Sequence, residues 1–157
     1  MDLGRKNMPL LKDPVMLKDI DYLIMESTYG NRLHENIDEA KHQLQEVINK
    51  TYNRGGKIII PSFAVERTQE IIYYLHELHI NNEIPDIPIY IDSPLAVNVT
   101  SVFKNNKDIL DKDFQKRLME HDDPFGFERL QYVRSVEASK DLNLSKEPSI
   151  IISASGM

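Results

Sequence analysis

Hydroxyls and carboxylates recur where the short apolar stretches of this sequence end. Tyr22-Leu23-Ile24-Met25 runs into Glu26-Ser27-Thr28, Lys57-Ile58-Ile59-Ile60 into Pro61-Ser62, and Ile89-Tyr90-Ile91 into Asp92-Ser93. Leu130-Gln131-Tyr132-Val133 precedes Arg134-Ser135, and Ser149-Ile150-Ile151-Ile152 precedes Ser153-Ala154-Ser155-Gly156. A carboxylate at the end of a buried strand is a candidate for acid/base work or for orienting another group. Hydroxyls beside helix N-termini suit anions such as phosphate. The same residue types are favoured helix N-caps, so Ser62, Ser93 and Ser135 also have a purely structural reading. Glu26 is harder to explain that way, because Glu is poorly shaped for a cap. Arg32 and Arg67 follow strand ends and suit either a phosphate or a surface ion pair.

Other patterns carry less. Gly55-Gly56-Lys57 stands between a helical stretch and a strand, whereas a phosphate loop needs strand, glycines, then helix; helix termination explains it better. His76-Glu77-Leu78-His79 spaces its histidines by three, whereas a zinc-protease helix needs four. Tyr73-Tyr74 flank an apolar stripe and read as packing rather than as a base-stacking platform.

The elements that must position these residues follow from hydrophobic spacing. The five stretches above read as strands, Tyr22–Met25 included. Helical spacing covers residues 38–53, 65–79 and 95–103, with shorter helices near 113–120 and 136–142. The apolar strands lack in–out alternation, which marks a parallel sheet covered on both faces. Right-handed crossovers then give an open, doubly wound α/β sheet of about five strands, with helices on both faces. In such a sheet ligands bind outside the carboxyl ends of the strands, where the hydroxyls and carboxylates lie.

Composition narrows the class. The chain has 157 residues, 41% hydrophobic and 28% charged, which is the profile of one globular domain. No cysteine is present, which removes disulfides, thiolate zinc sites and a cysteine nucleophile. Net charge is −6, against a dedicated nucleic-acid-binding domain but not against a local basic site. No apolar run is long enough to span a membrane, and the N-terminus lacks a signal-peptide stretch. The expected location is cytoplasmic.

Several motifs, taken in order, resemble the β-CASP domain of metallo-β-lactamase-fold RNA nucleases. They are Asp2-Leu3-Gly4-Arg5, Glu26-Ser27-Thr28-Tyr29-Gly30-Asn31-Arg32, Pro61-Ser62-Phe63-Ala64-Val65-Glu66-Arg67-Thr68-Gln69-Glu70, Asp92-Ser93-Pro94-Leu95-Ala96 and Ser153-Ala154-Ser155-Gly156-Met157. The resemblance implies a cap domain that helps to form the RNA cleft over a pair of metal ions, usually zinc. It makes Asp2 a metal ligand and Glu26 a catalytic-site residue that bonds a downstream histidine. Ser27, Thr28, Arg32, Ser62, Ser93 and Ser155 become the candidate RNA- or phosphate-binding residues. It divides the chain into residues 1–20, the tail end of the metallo-β-lactamase half and a linker; 21–152, the β-CASP cap; and 153–157, the return. The family's metal-binding histidine motifs are absent, so the expected parent is a zinc-dependent ribonuclease and this stretch alone is expected to be inactive and metal-free. The expected partners are RNA and the missing half of the same chain, with a homo-oligomeric parent possible. A noncatalytic nucleotide- or protein-binding module and a DNA nuclease of the same superfamily are the alternatives.

Overall fold

The structure is a computed structural model and describes residues 4, 6–33, 36–120 and 122–154. Among these residues the chain forms five α-helices and four strands. In chain order they are α1 (Ile37–Asn53), β1 (Ile58–Pro61), α2 (Arg67–Ile80), β2 (Ile89–Asp92), α3 (Pro94–Asn105), α4 (Lys112–Met119), β3 (Leu130–Tyr132), α5 (Val136–Leu144) and β4 (Ile150–Ser153). The strands make one open sheet in the order β1-β4-β2-β3, with every pair parallel. This is the open parallel α/β architecture that the sequence predicts.

Register explains the core. Ile58, Ile150, Ile89 and Leu130 stand level across the sheet, as do Ile60, Ile152, Ile91 and Tyr132. Side chains alternate between faces along a strand, so these two rows share one face. That face packs with Ile48 of α1, Ile72, Leu75 and Leu78 of α2, Val97 and Phe103 of α3, and Phe114 of α4. The opposite face carries Ile59, Tyr90, Gln131 and Ile151, with α5 against it. The chain steps from β1 to β2 to β3 in one direction across the sheet and then turns back to β4. A right-handed crossover therefore moves α5 to the other face. Helix α5 contributes no buried residue. Two polar contacts hold it: Ser139 Oγ donates to Asp92 Oδ2 at 2.8 Å, and the Lys57 ammonium donates to the Leu142 carbonyl.

Local sequence sets the element ends. Helix α1 buries Ile48 completely and stops where Gly55 takes φ +71°, with the Gly56 amide donating to the Thr51 carbonyl at 3.0 Å. A residue with a Cβ is strained at that φ, so a glycine ends this helix as expected.

One expected strand is not formed. Tyr22, Leu23, Ile24 and Met25 are 92%, 49%, 88% and 47% exposed and belong to no strand. An apolar run reports that a segment prefers burial; it does not supply the neighbouring strand whose N–H and C=O groups must complete the ladder. Among the described residues this run has no ladder partner. By contrast Leu10 is only 2% exposed and sits in the core, with its carbonyl accepting from the Asp111 amide at 2.9 Å.

The turn between β1 and α2 is strained. Glu66 has φ 65° and ψ −62°, and the Arg67 amide donates to the Val65 carbonyl at 2.8 Å across it. This is a γ-turn in its rarer, positive-φ form, which costs a residue with a Cβ about 1–3 kcal/mol. Glycine avoids the steric cost but loses about 0.5–1 kcal/mol more chain entropy on folding. Glu66→Gly is therefore expected to stabilise the domain by about 1 kcal/mol. A rise in the urea midpoint at unchanged slope measures this; a fall shows that the Glu66 side chain makes a net stabilising contribution.

Candidate functional site at the carboxyl edge of the sheet

The carboxyl ends of the four strands place Ser62, Asp92, Ser93, Arg134, Ser135 and Ser153 along one edge. Ser62 is 7% exposed and is held from below. Its amide donates to the Ser153 carbonyl at 2.9 Å, and its hydroxyl accepts from Thr68 Oγ1 at 3.2 Å. Thr68 Oγ1 also lies 2.7 Å from the Phe63 carbonyl. Gln69, fully buried, donates through Nε2 to the Ala64 carbonyl at 3.1 Å and to Thr100 Oγ1 at 3.0 Å. This polar layer fixes the loop after β1 and presents Phe63, 76% exposed, to solvent.

Ser93 is 1% exposed and caps α3, its Oγ accepting from the Ala96 amide at 3.2 Å. Ser135 caps α5 in the same way, accepting from the Ala138 amide at 3.2 Å. Both serines therefore have a structural task. Arg67 sits beside Glu70, with Nη1 2.5 Å from Oε2.

Glu26 is exposed, and its Oε2 accepts from the Thr28 amide at 2.8 Å. Hydrogen bonds from Thr28 hold its carboxyl below the usual range, so it is ionised at neutral pH. Ser27 and Thr28 are exposed in the same turn, where the Gly30 amide donates to the Ser27 carbonyl at 2.9 Å. The Arg32 guanidinium stacks over the Tyr29 ring at 4.9 Å. The structure thus forms two groups, the Glu26–Arg32 turn and the sheet edge. Asp2 and Ser155 lie outside the described residues.

Topology adds what spacing did not. Adjacent strands β2 and β3 send their connections to opposite faces, α3 to one and α5 to the other. A crevice opens at such a switch point, which is where open α/β sheets bind ligands. A groove of about 400 Å³ runs between α5 and the β2–β3 face of the sheet, lined by Tyr90, Gln131 and Asp141 among others, and reaches Arg134 and Ser135 at the carboxyl end of β3. Arg134 is exposed at its upper end. Sequence order alone assigns Arg134 no role, because only the strand order makes its position a switch point. The link from Asp92 to Ser139 was equally hidden by 47 residues of separation.

Among the described residues no three His, Asp or Glu side chains come close enough to hold a metal ion. These residues by themselves do not make up a zinc site. Among them, too, no helix is long and apolar enough to cross a membrane.

An open parallel sheet with helices on both faces and a polar carboxyl edge defines an α/β domain of the doubly wound class. The chain belongs to the β-CASP domain family: the model of the Beta-Casp domain matches residues 68–157, more than half of its length. It is 37% identical over 156 residues to a protein of Thermus thermophilus named Ribonuclease TTHA0252, covering 99% of this chain and 36% of that protein. An RNase J-like protein of Methanocaldococcus jannaschii is 36% identical over 152 residues, covering 94% of this chain and 34% of its own length. Endoribonuclease YSH1 of Kluyveromyces lactis is 29% identical over 142 residues, with 87% of this chain and 18% of that protein covered. The chain thus spans about a third or less of the length of these relatives.

Proposed function

We propose that this chain is the cap part of a longer metal-dependent ribonuclease that hydrolyses RNA in processing or decay. The observation that carries the reading is its alignment, over 99% of its length, to a relative named as a ribonuclease. The carboxyl edge of the sheet supports it: the N-termini of α3 and α5, with the exposed Arg134 just before the α5 cap, suit the phosphates of a single strand. In this reading the cap lines one wall of the RNA cleft, and Glu26 orients a histidine supplied from further along the parent chain. Zinc ions and most of their ligands belong to the metallo-β-lactamase half; Asp2 completes that set. The exposed apolar residues Val15, Met16, Tyr22 and Ile24 suit contacts with that half, whereas Leu10 packs into the cap core.

The test uses the full-length protein that contains this chain. It is expected to cleave single-stranded RNA in a chelator-sensitive way and to leave DNA of the same sequence intact. The 157-residue chain alone is expected to cleave neither. Equal cleavage of DNA would favour the DNA-nuclease reading, and cleavage of neither by the full-length protein would favour a noncatalytic module.

A further inference from the structure

His76 lies on α2, 3% exposed, outside the sheet-edge site. Its Nε2 stands 3.2 Å from Asp122 Oδ1. Its ring packs on Phe127 at 5.0 Å, and Phe127 also meets His79 at 5.5 Å. Nδ1 is buried with no hydrogen-bond partner among the described residues.

Asp122 has a second task. Its Oδ2 accepts from Arg117 Nε of α4 at 2.7 Å. Arg117 Nη1 reaches back to α2, to Glu77 Oε1 at 2.8 Å and the Tyr73 hydroxyl at 2.7 Å. Glu77 also pairs with Lys41 of α1 at 3.0 Å. One run of polar contacts therefore fastens α4 and the loop after it to α2, and His76 is at its end. The charged or titratable groups facing the ring are Asp122, Arg117, His79 and Asp123.

A neutral imidazole that donates from Nε2 satisfies this arrangement at Asp122. Protonation adds an N–H at Nδ1, which then needs an acceptor in a buried place that offers none. Water can reach Nδ1 only if the ring moves from its buried place, and that movement pulls on Asp122 and, through it, on Arg117. Burial outweighs the attraction of Asp122 and holds the ring's proton affinity below the ordinary histidine value of 6.5.

We propose that His76 is a proton-operated latch: neutral, it fastens the 112–127 flank to α2; protonated, it releases that flank while the sheet stays folded. The sign follows from linkage. A histidine whose proton affinity is lowered by folding leaves stability intact above its unfolded value and erodes it as pH falls through the lowered one.

Amide hydrogen exchange on the chain, corrected for intrinsic rates, tests this at about pH 7.5 and about pH 5.5. Protection of residues 112–127 is expected to fall by about tenfold at the lower pH, with β2 and β4 keeping theirs. His76→Gln keeps a donor toward Asp122 and cannot titrate, so the fall is expected to vanish. The same fall in His76→Gln, or none in the native chain, overturns the proposal. If His76→Gln does not fold, the NMR titration of the His76 ring decides. A ring midpoint below 6.5 at which the flank amides lose protection together supports the latch, and a ring that titrates while those amides stay protected overturns it.

Discussion

In the full-length protein, Glu26→Gln is expected to lower kcat on RNA by about a hundredfold or more, with the fold retained. Within this chain the Glu26 carboxylate is exposed and accepts a hydrogen bond from the Thr28 amide of its own turn. A glutamine oxygen can accept from the Thr28 amide equally well, so the substitution takes little from the turn. What it removes is the negative charge, which the low proton affinity of this carboxyl keeps in place at neutral pH. If that charge orients a histidine of the parent enzyme, losing it misplaces a proton at the reacting centre. Single-turnover rates and thermal melts on the same preparation measure both halves of the expectation. Activity within about twofold of the native enzyme would reduce Glu26 to an acceptor in a turn.

The largest stability effect is expected at β4. Ile152→Ala should destabilise the chain by about 3 kcal/mol, within the usual range of about 2–5 for a fully buried isoleucine. Ile152 is 1% exposed and stands level with Ile60 on one side and Ile91 on the other. Strands on both flanks hold the backbone, so the site cannot collapse around the missing methyls. Ile59→Ala serves as the control: Ile59 is 67% exposed on the other face of the edge strand and should cost under about 1 kcal/mol. Urea unfolding of both variants measures the contrast; equal losses would contradict the assignment of faces.

The parts of this structure readable from sequence are those fixed by neighbours along the chain. The isoleucine runs of β1, β2 and β4, the spacing of α1 to α4, and the glycine that ends α1 all depend on local chemistry. Tyr22–Met25 is as apolar as β4 yet forms no strand, because composition carries no information about ladder partners. The insertion of β4 between β1 and β2 was likewise invisible, and with it the switch point beside Arg134. At the site, hydroxyls at strand ends were legible, but Ser62 and Ser93 are buried, and Ser93 and Ser135 are engaged as caps. Their dual reading stood open in the sequence because the same residue type serves a cap and a phosphate. The strained turn at Glu66 had no signal, since glutamate is not among the residues that a positive φ favours.

The strand order also governs how the domain is built during synthesis. Among the described residues β1 pairs with β4 alone, and β4 joins it to the β2–β3 pair. β4, at Ile150–Ser153, is the last of the four strands to leave the ribosome. Until then β2 and β3 can pair, but β1 and the helices around it have no sheet to close on. The nascent domain therefore carries open strand edges and uncovered isoleucines through most of its translation, a state in which chains associate with one another. Closing the sheet requires that four-residue strand, which pairs with β1 on one side and β2 on the other.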